Sequence, residues 1–97
     1  MLTLQDCRYH AELRLARLAV QCGDELALLP EPYETERTVA FFYQTSDYLR
    51  TGDATQALAG NGPILVSKLT GTVEVAGTAL PVEASIRDFE TKTAKAA

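Results

Sequence analysis

The chain has 97 residues, with nine Lys or Arg against thirteen Asp or Glu, so its formal charge is 9 − 13 = −4. That is room for one domain, and the acidic balance argues against nucleic acid or an anionic membrane as the main partner while suiting a basic protein. No run of about 18 apolar residues is present to span a membrane, and the opening MLTLQDCRYH lacks the basic and apolar regions of a signal peptide, so a cytoplasmic location is expected.

Residues 3–22 carry the clearest periodicity. Leu4, Cys7, Ala11, Leu15, Leu18 and Cys22 are spaced 3, 4, 4, 3 and 4 apart, which gathers them in one stripe of a helix. Thr3 or its neighbours can start this helix and Gly23 can end it. A second stripe, Tyr9, Leu13, Ala16 and Val20, lies almost opposite. A helix on one sheet needs one apolar face, so the second stripe needs a cover. The expected cover is the chain's own C-terminal segment, with another copy or a partner protein as the alternative. Cys7 and Cys22 stand fifteen residues apart on this helix, roughly 22 Å at about 1.5 Å per residue. They are too distant for a disulfide and are expected to be buried small apolar residues.

The reading then turns to β-structure. Glu25 to Pro30 is a candidate strand that Pro30 and Pro32 end or confine to an edge. Residues 31–37 read as an exposed acidic connection, and Thr38 to Gln44 as one central strand rich in β-branched and aromatic residues. Ser46 can cap a short turn ending at Gly52, and Asp53 a second, through Leu58, closed by Gly60. Ile64 to Ser67 and Thr72 to Ala76 form a hairpin about a turn at Lys68 to Gly71, with Ile64 and Val66 answered by Val73 and Val75. Pro81 fits the first position of a final helix with Val82, Ile86 and Phe89 on its apolar edge. The tail TKTAKAA is expected to fray. The fold class is α+β: an N-terminal helix packed on one face of a three- to four-stranded antiparallel sheet, short helical turns after the central strand, and a C-terminal helix, all in a single domain over residues 1–97.

Reactive constellations are sparse. The one histidine, His10, stands three residues after Cys7, but about 60° around the helix from it. One histidine and two distant cysteines do not supply the three or four ligands of a metal site. Glu31, Glu34, Glu36, Asp88 and Glu90 read as solvated carboxylates. Gly60-Asn61-Gly62 precedes a strand where a dinucleotide loop would follow one. The expectation is a non-enzyme without metal or cofactor.

The middle of the chain is more specific. The run from Phe41 through Asp53 (FFYQTSDYLRTGD), followed by Ala57-Leu58-Ala59-Gly60-Asn61-Gly62-Pro63-Ile64-Leu65-Val66, resembles the immunity protein 35 family, also called the YrhB domain. Thr70-Gly71, Gly77-Thr78, Pro81 and Glu83 continue the likeness, which covers roughly residues 38–90. Val39 stands where family members usually carry Trp, and Leu80 where many carry Tyr. The resemblance implies function by binding. Such a protein would occlude a cognate toxin, encoded by the adjacent gene, and so protect the producing bacterium. A small chaperone-like stress protein is the alternative the same resemblance carries. A homodimer stays open.

Within that reading the motif residues Phe41, Phe42, Ser46, Tyr48, Leu49, Gly52, Asp53, Gly60, Asn61, Gly62, Pro63, Gly71 and Gly77 are expected to be structural. Toxin contact is expected at exposed positions instead: Glu31, Tyr33, Glu34 and Glu36 of the acidic connection, and Tyr9 and Leu13 of the outer helix stripe.

Overall fold

A computed structural model describes residues 1–53, 62–78 and 80–96. The first helix, α1, runs Leu4–Cys22. Thr3 caps it: its hydroxyl accepts from the Asp6 N–H at 3.1 Å while the Asp6 carboxylate accepts from the Thr3 N–H at 3.0 Å. These two reciprocal bonds satisfy donors that a helix start leaves open. Gly23 ends the helix at φ 74°, donating to the Ala19 carbonyl at 2.9 Å, a left-handed step that a side chain would resist.

Six strands follow: β1 (Leu26–Leu28), β2 (Tyr33–Glu34), β3 (Thr38–Phe41), β4 (Tyr43–Thr45), β5 (Ile64–Ser67) and β6 (Val73–Val75). They form an antiparallel four-stranded sheet in the order β2-β3-β5-β6 and a separate antiparallel pair, β1-β4. The hairpin register pairs Ile64 with Val75 and Val66 with Val73, as the alternation predicts. The short helix α2 spans Ser46–Thr51, and α3 spans Val82–Ala96.

Period-two alternation sorts the sheet residues onto two faces. Val39, Phe41, Ile64 and Val66 pack with Cys7, Ala11 and Leu15 of α1. Ala40 and Leu65 pack with Ile86 and Phe89 of α3. The two inner strands, β3 and β5, are thus buried on both faces, so all their residues but the paired end positions Thr38 and Ser67 are apolar. Burial of one such side chain contributes about 1.5–3 kcal/mol.

Several expectations give way here. The sheet is covered on both faces, not one, because the apolar edge of α3 claims the face opposite α1. The single central strand over residues 38–44 divides at Phe42, where the hydrogen-bonding partner changes: β3 pairs with β2 and β5, while β4 pairs with β1 and the Phe42 carbonyl accepts from Leu29 at 2.8 Å. The acidic connection contains a strand, β2, whose backbone pairs Tyr33 with Ala40 and Glu34 with Val39. The cap of α2 is Thr45, whose hydroxyl accepts from the Tyr48 N–H at 3.1 Å; Ser46 is already helical. The bounds of α3 reach Ala96, within the C-terminal stretch whose fraying is an expectation that helix bounds do not test. Pro81 lies just ahead of α3, its carbonyl accepting the Ser85 N–H at 3.0 Å. The second capped turn, from Asp53 to Gly60, and Asn61 lie outside the described residues, apart from Asp53 itself.

Candidate functional site

The two apolar stripes of α1 meet opposite fates. Cys7, Ala11 and Leu15 are 0–3% exposed, whereas Tyr9, Leu13 and Val20 are 64%, 52% and 83% exposed. Ala16, between them, is also exposed. Cover from within the chain is therefore not found among the described residues. The C-terminal helix that was expected to supply it packs on the far face of the sheet, and no described residue buries the row. Tyr9 is steadied by its neighbour His10, whose ring meets it edge-on with centroids 5.7 Å apart. Exposed apolar side chains in a row along a well-capped helix form a rigid patch that water wets poorly.

The acidic connection behaves differently. Glu31 and Glu36 are exposed, and neither has an ion pair among the described residues. Glu34 is engaged: its carboxylate holds the Lys68 ammonium at 2.5 Å, and Lys68 also donates to the Thr35 carbonyl at 2.7 Å. Lys68 is buried, and a buried cation needs such partners. Its backbone binds Leu2 and Arg37 as well, at 2.7 Å each. Glu34 thus fastens the hairpin turn to the edge strand, and a charge reversal there would break the fold's own contact before reporting on a partner.

Tyr33 pairs with Ala40 and so points to the α3 side, near Glu83, Ile86 and Arg87. Tyr9 and Leu13 look outward from α1, across the sheet. The contact residues expected from sequence consequently fall on two surfaces and do not form one patch. Arg8 marks the link between α1 and the connection: it donates to the Pro30 carbonyl at 3.3 Å, and its guanidinium lies 5.3 Å from the Phe41 ring centre.

Several of the described motif residues sit in the core or at turns. Phe41 is fully buried and Phe42 half-buried; Tyr48 is half-buried and Leu49 exposed on α2. Gly52 ends α2 at φ 71°. Gly62 is required by close approach, since a Cβ there would lie 1.8 Å from the Ala76 carbonyl oxygen. Gly71, at φ 78°, would bring a Cβ within 3.2 Å of the His10 imidazole. Pro63 accepts the Ala76 N–H at 2.8 Å beside it.

Cys7 lies in the core, where burial pushes its thiol pKa up, and no hydrogen bond joins it to His10. Cys22 is exposed rather than buried, with its thiol donating to the Leu18 carbonyl at 2.8 Å. It sits on the last turn of α1, where the stripe has run past its cover. Among the described residues no three His, Cys, Asp or Glu side chains gather as a metal site, and no helix is long and apolar enough to cross a membrane. Sequence reasoning missed Lys68: a lysine in a hairpin turn ordinarily reads as solvated, and nothing local announces its burial. It placed Val20 in the outer stripe but left it out of the contact set, although it is more exposed than Tyr9 or Leu13.

Comparison with known proteins agrees with the pattern in the central segment. Residues 10–91 match the family described as Immunity protein 35. The "Uncharacterized protein YrhB" of Escherichia coli (strain K12) is 39% identical over 54 residues, 56% of this chain and 57% of that protein, so the match spans little over half of the relative's length. No solved structure is significantly similar. The match reaches from the middle of α1 through most of α3, and the chain belongs to the immunity protein 35 family.

Proposed function

We propose that this chain is an immunity protein of the bacterial cytoplasm. It binds a cognate toxin domain encoded beside it and neutralises that domain by covering its active site or blocking a movement it needs. The observation that carries this reading is the conjunction of family membership over residues 10–91 with an uncovered apolar row on α1. Tyr9, Leu13 and Val20 offer aromatic and aliphatic anchors of the kind that dominate tight interfaces, on a support too rigid to lose much entropy on docking. Glu31 and Glu36, exposed and unpaired among the described residues, with a chain charge of −4, would steer a basic toxin domain towards the protein. Tyr33 is a second anchor, serving a partner that reaches the α3 side.

The test is titration of the purified toxin domain with this protein, reading both the toxin's own activity and the heat of binding. Activity should fall to zero at a fixed stoichiometry. Tyr9→Ala and Leu13→Ala should each weaken binding by about 2 kcal/mol if they are central anchors. The chaperone-like alternative rests on the same exposed row. It predicts suppression of aggregation of unrelated unfolded clients with no stoichiometric toxin complex, and that pair of results would replace the present reading.

A further inference from the structure

The four-stranded sheet ends in two edges of opposite character. At one, β2 is tied in by Glu34 and Lys68. At the other, β6 has no strand partner on its outer side among the described residues. Its register shows which groups are left open. Ser67 donates to Thr72 and Ala76 to Pro63, so the hydrogen-bonded pairs alternate through Leu65 and Glu74. The N–H and C=O of Val73 and of Val75 therefore point outward, away from β5.

That edge lies at the floor of a cavity of about 550 Å³ between the two helices, with Arg14 of α1 on one wall and Phe89 and Lys92 of α3 on the other. A smaller cavity of about 160 Å³ shares Arg14 and Val73 with it and adds Leu13 and Arg17. Arg14 and Arg17 have no ion pair or hydrogen bond among the described residues. Lys92 is held by Asp88 at 3.0 Å and Glu74 at 3.4 Å. In a protein of net charge −4, the α1 wall of this groove is locally cationic, and its opposite wall presents Lys92 and Thr93 with Phe89 buried in the core behind them.

We propose that the outer edge of β6 is a strand-addition site for an extended segment of another protein that carries carboxylate side chains at every second position. Val73 and Val75 would supply the backbone bonds that receive such a segment. The pleat would then turn every second side chain of the segment to the α1 wall, where carboxylates would meet Arg14 and Arg17. A second copy of this chain fits poorly. Two-fold antiparallel pairing of β6 with itself places both α1 helices on the same sheet face, where their Arg14 and Arg17 rows confront each other, and pairing centred on Glu74 sets two glutamates opposite. The inference goes beyond toxin neutralisation: of the α1 row only Leu13 borders this groove, and the test reads the β6 backbone at Val73 and Val75.

The experiment is amide hydrogen exchange, followed by NMR on the full chain, with a short peptide alternating glutamate and valine. The peptide should slow exchange at Val73 and Val75 by about tenfold or more and leave Glu74, already bonded to β5, unchanged. Arg14→Glu, with its unfolding curve checked against the parent protein, should weaken peptide binding by about tenfold or more. Unchanged exchange at Val73 and Val75 in saturating peptide would overturn the proposal. So would equal protection by the peptide with lysine in place of glutamate. Protection that instead rises with protein concentration and no peptide would assign the edge to self-association, and would equally overturn it.

Discussion

The inner and outer rows of α1 are built from similar residues and separated by half a turn, yet one is the centre of the core and the other is bare. Cys7, Ala11 and Leu15 meet Val39, Phe41, Ile64 and Val66, while Tyr9, Leu13 and Val20 stay exposed and join neither core cluster. Composition does not distinguish the rows; the number of available sheet faces does. The sheet offers two faces, α1 takes one and α3 the other, and no apolar surface remains for the outer row. An apolar side chain that adds nothing to folding but stays on a rigid helix is free to serve binding, and this is where stability and function separate in the molecule.

The sharpest contrast should come from the two cysteines, which the periodicity puts on the same stripe. Cys7 is buried and Cys22 exposed. With a thiol-specific reagent at neutral pH, Cys7 should label at least about a thousandfold more slowly than Cys22, because it waits for unfolding. Its raised pKa, caused chiefly by burial, slows it further. Comparable rates would mean that the inner row is not packed as described.

Next in size is Leu15→Ala, which empties a core position. It should cost about 3 kcal/mol in a denaturant titration. The cap of α1 should matter less: Thr3→Ala should lose about 1 kcal/mol. That same cap carries a pH signature. Hydrogen bonds from the Thr3 backbone, and then its hydroxyl, hold the Asp6 carboxyl below its ordinary value of 3.8. A depressed folded pKa means that the contribution is fully present above the unfolded value. It is lost as pH falls below 3.8 and through the folded value. Asp6→Asn should flatten that part of the stability–pH curve and leave the neutral region nearly level. The smallest stability effect should come from the outer row: Leu13→Ala or Val20→Ala should shift unfolding by no more than about 0.5 kcal/mol. A larger loss would show that the row packs against something within the chain and would remove the basis for calling it a docking surface.

Much of the fold was legible because its signals are local. Thr3, the stripe and Gly23 fix α1, since a cap, a period and a left-handed stop each act within a turn of the residues that encode them. The Ile64–Val75 and Val66–Val73 pairs follow from alternation about a turn. What escaped depends on distant partners. Nothing at Phe42 says that the strand changes sheets there, because the change is dictated by β1 and β5 competing for its two halves. The strand Tyr33–Glu34 hides in an acidic segment because its backbone, not its side chains, does the pairing. Periodicity named the face of Cys22 correctly but could not say where the sheet beneath it ends. For the site, the outer row was visible as a second stripe, whereas its lack of cover required the position of α3. The expected role of Glu34 changed once its partner Lys68, 34 residues away, came into view.

The most direct measurement is co-expression of this protein with the toxin encoded beside it, scoring both cell growth and recovery of a complex. The parent protein should restore growth and elute with the toxin in fixed proportion. A Tyr9→Ala, Leu13→Asp variant with an unaltered unfolding curve should do neither. Full protection by that variant, or none by the parent protein, would contradict the account.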